Sequence, residues 1–494
     1  MIDYSKYPTT SAIPEASSMI ETFRAIGYSI EAAVADIVDN SISAGAKTIW
    51  INFKWQGSET WLAIKDDGSG MNNDELVQAM RPGSKNPLDD RGTKDLGRFG
   101  LGLKTASFSQ CRLLSVISKK ENYKSVYWSW ILDAVNETGK WDLIKYLPEG
   151  NFENEINSVK SGTIVIWNDI DRLVKDLQKD DENALDKFLE IMKQVKKHLA
   201  MVFHRFIENG RIKIFFQDRP VEAWNPFLPN ETSTQGFPNE SLKSGEAKVK
   251  GYVLPHKSKF KNNTGYADGE GPKGWNEQQG FYIYRNDRLL LAGDWLGMFR
   301  KEEHYKLARI EINLPNTLDS EWQIDIKKSI ARPPLDVRDQ LRAYAVKVRT
   351  QAVEVYRNKG RTVKPYPGQK FVPLWIDHKR GDKWFYKINR EHPLIDKIKK
   401  QANEKPDKAI ETLLRFIEET IPVKSIYIKE AEEPDAQGKP FESVKHDDIW
   451  TLMKTIFDSL IKQGKSKDDA KAIIGNLDPF NHYPEYLETV IEND

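Results

Sequence analysis

A chain of 494 residues with 39% hydrophobic content is too long for one core, so about two to four domains are expected. Its 74 basic and 73 acidic residues leave a net charge of +1, which excludes a globally basic nucleic-acid coat and a polyacidic tail. One cysteine, Cys111, excludes an intrachain disulfide framework, and the eight scattered histidines lack the paired spacing of a structural zinc site.

The opening residues, MIDYSKYPTTSAIPEASS, carry neither a basic segment nor an apolar stretch of the kind that directs export. No uninterrupted apolar run approaches the roughly 20 residues of a spanning helix. The expectation is a cytoplasmic protein that makes no membrane contact.

Residues 15–43 read as helix at helical apolar spacing, broken near Gly27, with Ser29 as N-cap of the second segment. KTIWINFKW and TWLAIKDD follow as strands of a hairpin joined through QGSE. Residues 72–95 begin as a short helix and continue as a polar loop with glycine and proline, of a length usual for lids and binding loops. LGRFGLGLKTASFSQ is a glycine-rich loop entering a helix, after which RLLSVISKK, KSVYWSWIL and GTIVIWNDI alternate as strands. The order predicts an α/β sandwich with mainly antiparallel pairing.

From about 184 the pattern restarts with a long helix, the strands RIKIFF and KVKGYVLP, a loop-rich insertion to about 278, and three further strand-like runs. This predicts a second α/β domain ending in the helix PLDVRDQLRAYAVKVRTQAVEVYRNKG. A Pro-rich linker, an aromatic hairpin within PLWIDHKRGDKWFYKINREHP and mainly helical sequence complete the chain. The expected division is 1–180, 181–360 and 361–494.

Four short segments carry candidate chemistry. Asp36 and Asn40, four apart on a helix, project from one face. An amide oxygen suits Mg²⁺, and a carboxylate one turn earlier can orient a water, although polar groups on a solvated helix face fit the spacing as well. In KDDGSGM, Asp66 ends a strand and Gly68 and Gly70 leave room for a flat ligand whose amine a carboxylate could accept; Asp-Gly is also a common turn. In GRFGLGLK, Gly97, Gly100 and Gly102 open a helix whose N–H groups suit phosphate, with Lys104 adding charge. Thr163 follows Gly162 in SGTIVIW, which alone marks only a strand start.

In this order, DIVDNSISAGA, DDGSGM, GRFGLGLKTAS and GTIVIW resemble the GHKL, or Bergerat-fold, ATPases shared by gyrase-type topoisomerases, Hsp90 chaperones, MutL proteins and histidine kinases. The resemblance covers residues from about 20 to 175 and is nearest to MORC-type and MutL-like members. GFYIYRNDRLL resembles the Y-x-N-x-R strand of their ribosomal-S5-like transducer domain, which histidine kinases lack.

The resemblance implies ATP and Mg²⁺ as cofactors. It puts Asp36 at the general base, Asn40 at the Mg²⁺ ligand and Asp66 at the adenine-binding carboxylate, with Thr163 beside the adenine through water. Gly68, Gly70 and Met71 line the adenine pocket. Ser84, Lys85, Gly97, Arg98, Phe99, Gly100, Leu101, Gly102, Leu103 and Lys104 belong to the lid and its phosphate-facing end. A transducer lysine on the γ-phosphate corresponds to Lys328 or Lys327 in WQIDIKKSIARPP, a run that also reads as the basic end of a strand.

Two departures from the pattern stand out: aspartate replaces the usual glutamate at position 36, and Ser43-Ala44 replaces Asp-Ala after the asparagine. The carboxylate is one methylene shorter, so slow hydrolysis is expected, since positioning carries much of phosphoryl transfer. Glu31, five residues earlier, points off that helix face.

The resemblance thus implies an ATP-driven switch that forms a homodimer on ATP binding. Its expected setting is a clamp or remodeler of double-stranded DNA, working with a nuclease or methyltransferase in a bacterial restriction or antiphage defence system. KKHLAMVFHR, HKSKFK and KRGDKWFYK are candidate contact segments, or simply solvated faces. The alternative is a chaperone-like or signalling ATPase acting on a protein partner. No strand-cleaving tyrosine signature and no D-x-D metal cluster follows downstream, so intrinsic nuclease action is not expected.

Overall fold

The computed structural model describes residues 3–10, 12–83, 102–174, 177–242, 247–260, 263–318, 321–324, 331–357, 372, 374–380, 383–393, 395, 407–423, 426, 446–483 and 486–487. The chain divides into two compact units, Met1–Gly360 and Arg361–Asp494.

The first unit opens with α1 (Ala16–Ala25), after which Gly27 takes a φ of 77° and turns the chain. α2 (Ile30–Ser43) follows, with the Ser29 hydroxyl accepting from the Ala32 N–H as its cap. Gly45, at φ 79°, ends it in the left-handed region where glycine costs least. β1 (Thr48–Lys54) and β2 (Trp61–Asp66) then pair antiparallel, Ile49 opposite Asp66. α3 (Asn73–Met80) starts with a reciprocal cap between Asn72 and Glu75.

α4 (Gly102–Phe108), β3 (Leu113–Lys119) and β4 (Val126–Ile131) come next, then α5 (Leu132–Thr138), α6 (Phe152–Asn157), β5 (Gly162–Asn168) and α7 (Asp171–Val174). α8 (Glu182–Val202), capped by Asp181, and α9 (His204–Glu208) lead into β6 (Lys213–Phe216) and β7 (Arg219–Pro220). The resulting seven-stranded sheet has the order β4-β3-β5-β2-β1-β6-β7.

Here one expectation is corrected. RIKIFF, read as the first strand of the second domain, is β6 and lies parallel to β1 in the first sheet, Ile49 opposite Ile214. α8, which packs on α2, is the crossover that makes a parallel neighbour possible. The strand's own apolar pattern states that Ile214 and Phe216 are buried, not which edge they join.

Alternation along the strands covers both sheet faces. On one face Leu114, Val116, Val165 and Trp167 pack with Val34, Ile37 and Val38 of α2 and Met192, Val195 and Leu199 of α8. On the other, Ile117, Ile164 and Ile166 pack with Phe152 and Ile156 of α6.

The second sheet holds β8 (Gln235–Gly236), β9 (Glu240–Ser241) and β10 (Lys248–Val253), then, after α10 (Asn263–Gly269), β11 (Gly280–Arg285), β12 (Arg288–Asp294) and β13 (Ala308–Leu314). Its order is β12-β11-β13-β10-β8, with β9 also on β10. α11 (Leu335–Arg357) lies on β10, where Tyr344 accepts from the Gly251 N–H at 2.7 Å.

α9 joins the two sheets. His204 Nε2 is 2.9 Å from the Tyr284 hydroxyl, the Arg205 guanidinium stacks 3.6 Å over the Tyr284 ring, and Arg205 bonds Asn313 and Glu311 at 2.6 Å each. These are the basic residues closing KKHLAMVFHR, so that end of the segment is committed to internal packing rather than to a phosphate backbone.

In the second unit, β14 (Trp375–Arg380) and β15 (Lys383–Ile388) form the expected antiparallel hairpin. Helices at Asp407–Glu419, His446–Lys462 and Lys467–Gly475 follow; Ile449, Met453 and Phe457 of the second and Ile474 of the third share a core with Phe480. No helix among the described residues is long and apolar enough to cross a membrane.

Candidate nucleotide site

The end of β2 and the last turn of α2 meet at Asp66. Its carboxylate accepts from the Ser41 hydroxyl at 2.8 Å and from the Gly68 N–H at 2.9 Å, and it is 6% exposed. Burial pushes the Asp66 carboxyl above its ordinary range, while the bonds from Gly68, Ser41 and the Thr163 backbone pull it back. A carboxylate with these donors on one side can accept a further proton donor from the other.

Three strands set the floor of the site. Asp66 lies opposite Thr163 across β2 and β5, and Thr163 lies opposite Ser118 across β5 and β3. The Ser118 and Thr163 hydroxyls are 2.8 Å apart, and Ser118 also accepts from the Met71 N–H at 2.9 Å. Thus Asp66 and Met71, from one sequence motif, and Thr163, from another, share one hydrogen-bonded patch.

The glycines of DDGSGM have a structural reason in the chain's own backbone. A methyl group at Gly70, whose φ is 62°, would stand 1.8 Å from the Lys119 carbonyl oxygen. One at Gly68 would stand 2.9 Å from Asp66 Oδ1 and 3.0 Å from the Ala44 Cβ. The loop is pressed between α2 and β3, and side chains there would hold Asp66 away from Ser41.

Asp36 and Asn40 share a face of α2, as the spacing predicts, but in different surroundings. Asp36 is 4% exposed and accepts from the Tyr28 hydroxyl at 3.1 Å, whereas Asn40 is exposed. Gly102, first residue of α4, is close by: a methyl group there would lie 3.9 Å from Asp36 Oδ2. Leu103 is partly buried beside it, and Lys104 is buried with its ammonium donating to the Ala79 carbonyl at 3.0 Å.

Ser84, Lys85, Gly97, Arg98, Phe99, Gly100 and Leu101 of the expected lid, and Lys327 and Lys328, lie outside the described residues.

Tyr28, Asp39, Ser41, Ser118 and Arg288 were not among the residues the sequence singled out. Ser41 and Asp39 flank Asn40 in the quoted motif, and Arg288 closes Y-x-N-x-R, so a signal existed for three of them. Ser118 has none, because its role depends on the register of β3 against β5.

Residues 28–163 match the family model described as histidine kinase-, DNA gyrase B-, and HSP90-like ATPase. With the site just described falling within that stretch, the chain carries a GHKL ATPase domain in a mixed α/β fold.

Among curated proteins, it is 34% identical over 89 residues to ATPase morc-1 of Caenorhabditis elegans, covering 18% of this chain and 10% of that one. It is 27% identical over 188 residues to Chaperone protein HtpG of Rickettsia canadensis (strain McKiel), covering 36% of this chain and 27% of the relative. It is 31% identical over 112 residues to DNA mismatch repair protein MutL of Dictyoglomus turgidum, covering 22% and 19%. The matched stretches therefore span from about a tenth to about a quarter of these relatives.

Proposed function

We propose that the chain is an ATP-driven conformational switch, with Asp36 as general base, Asn40 as magnesium ligand and Asp66 as the carboxylate that receives the adenine amine. The observation that carries this reading is the Ser41–Asp66 bond, which fixes the helix bearing Asp36 and Asn40 to the strand end bearing Asp66.

The residues present fit the cofactors. Asn40 offers an exposed, hard amide oxygen one turn from a carboxylate, the kind of ligand Mg²⁺ accepts while it keeps waters and phosphate oxygens. When bound, the ion supplies charge neutralisation at the phosphates. Asp36, held by Tyr28, orients a water through its carboxylate. Asp66 and Thr163 orient the base. Hydrolysis is slow, because the shorter aspartate has less reach than glutamate.

The lid and the second sheet, acting as transducer through Lys328 or Lys327, bind the γ-phosphate state in preference to the open state, and that difference drives N-terminal dimerisation. The match to DNA mismatch repair protein MutL supports duplex DNA as what the closed dimer holds. The partner in this reading is a nuclease or methyltransferase of a bacterial defence system. The longer match to Chaperone protein HtpG favours a second reading, in which the partner is a protein.

Light scattering with a nonhydrolysable ATP analogue, followed by duplex-DNA titration at several salt concentrations, tests both. ATP-dependent dimers whose DNA affinity falls steeply with salt support the clamp. Dimers that bind no DNA support the second reading, and a monomer under all conditions sinks the switch.

A further inference from the structure

Arg288 is the first residue of β12, following a two-residue turn in which Asn286 and Asp287 hold φ values of 48° and 68°. A turn with two positive φ values matches strand twist and fixes where the next side chain leaves the hairpin. That side chain crosses from the second sheet to α2. Arg288 Nε lies 3.2 and 3.1 Å from the two Asp39 oxygens, and Nη2 lies 3.1 Å from Asp39 Oδ2 and 3.8 Å from Asp36 Oδ1. Nη1 donates to the Leu289 carbonyl at 2.7 Å, and the Phe203 ring centre is 5.7 Å from the guanidinium carbon.

All three side chains are buried, at 5% exposure for Arg288, 1% for Asp39 and 4% for Asp36. Two carboxylates three residues apart on one helix repel in such surroundings, and a cation bridging them relieves both. The planar guanidinium can take both oxygens of Asp39 and still reach Asp36, which a lysine ammonium cannot do.

We propose that Arg288 is a positioning residue for ATP hydrolysis: by bridging Asp39 and Asp36 it fixes the carboxylate of Asp36, so the second sheet's hairpin sets the rate of the ATPase domain. The proposal rests on the reading of Asp36 as general base. It assigns the hairpin a part separate from any lysine on the γ-phosphate, because Arg288 acts on the helix and not on the nucleotide.

The test uses the full chain and four variants: Arg288→Gln, Arg288→Lys, Asp36→Asn, and the double variant Asp39→Asn/Arg288→Gln, which leaves no unpaired charge at position 39 and so protects folding. The expected result for Arg288→Gln and the double variant is a fall in kcat of about 10- to 100-fold, with Mg-ATP affinity by calorimetry unchanged within about threefold. Arg288→Lys restores only part of the rate. In Arg288→Gln, where the cation is gone and Asp39 keeps its charge, the acid limb of the kcat–pH profile moves to higher pH, which a merely structural role would not produce; in the double variant the lost cation and the lost anion offset each other. Parental kcat in the double variant, or an unmoved acid limb in Arg288→Gln, overturns the proposal. Full turnover in Asp36→Asn overturns the base assignment and the proposal with it. Loss of turnover in Asp36→Asn beside parental turnover in the double variant overturns the positioning alone.

Discussion

Ser41 donates its hydroxyl to Asp66 over 2.8 Å, and this one bond links the helix of the candidate catalytic pair to the strand end of the candidate adenine site. A hydroxyl bonded to a buried, charged acceptor is among the stronger single hydrogen bonds, about 1.5–3 kcal/mol. Ser41→Ala is therefore expected to lower unfolding free energy by about 1–3 kcal/mol in urea and to weaken Mg-ATP binding in calorimetry. An unchanged affinity would show that the two halves of the site do not depend on each other.

Asp66 itself is held at a cost to the fold. Its folded carboxyl keeps its proton more tightly than the unfolded one, so its contribution favours the native state at low pH and is lost as pH rises through the raised value. Asp66→Asn removes the buried charge while keeping an oxygen for Gly68. The variant is expected to melt at the parental temperature or a few degrees higher at pH 7, since ~1 kcal/mol corresponds to roughly 2–4 °C in a domain of this size. Calorimetric scans should show the difference shrinking toward pH 4, and Mg-ATP binding should be lost. A lower melting temperature at pH 7 would contradict the burial argument.

In the proposed roles, Asp36 serves the chemistry and Asn40 the binding. Asp36→Asn is expected to bind ATP normally, to lose about two orders of magnitude or more in turnover, and to accumulate as a dimer in light scattering. Asn40→Ala should instead lose Mg-ATP binding in calorimetry. Equal effects of both variants on binding would remove the division of roles.

His198 lies in a cleft with Lys273 and Arg288 between α2, α8 and β12. Burial, and then the charges of Arg288 and Lys273, push its pKa down to about 3 from an ordinary 6.5. A depressed value contributes stability that is present above the unfolded pKa and is lost as pH falls from about 6.5 toward 3. His198→Gln should therefore lose less stability than the parent between pH 7.5 and pH 5 in urea unfolding. An identical loss in both proteins would mean that His198 does not carry the acid sensitivity.

Gly70 and Gly45 offer a matched pair. Both have positive φ, at 62° and 79°, but a methyl group at Gly70 collides with the Lys119 carbonyl while one at Gly45 meets nothing within 4 Å. Gly45→Ala should cost only the left-handed conformation, about 1–2 kcal/mol, and Gly70→Ala that plus about 1–3 kcal/mol of overlap. Comparable urea midpoints for the two variants would show that the loop relaxes away from β3.

Much of the local structure was legible in the sequence because local interactions decide it. The cap at Ser29, the break at Gly27 and the hairpin of β1 and β2 follow from residue types within a few positions of each other. The same holds for the face shared by Asp36 and Asn40. The membership of RIKIFF in the first sheet was not legible, because strand pairing across about 160 residues leaves no mark on either strand.

The sequence by itself determined the order of motifs and hence which residues could form a nucleotide site: Asp36, Asn40, Asp66 and Thr163. Only the tertiary structure decided what holds each of them. Ser118 meets Thr163 through strand register, Ser41 meets Asp66 through the seating of α2 on the sheet, and Arg288 meets Asp39 and Asp36 from a different sheet some 250 residues away. The physical reason is that a buried carboxylate needs donors or cations around it, and the fold supplies them from wherever the chain returns, not from the neighbours in sequence.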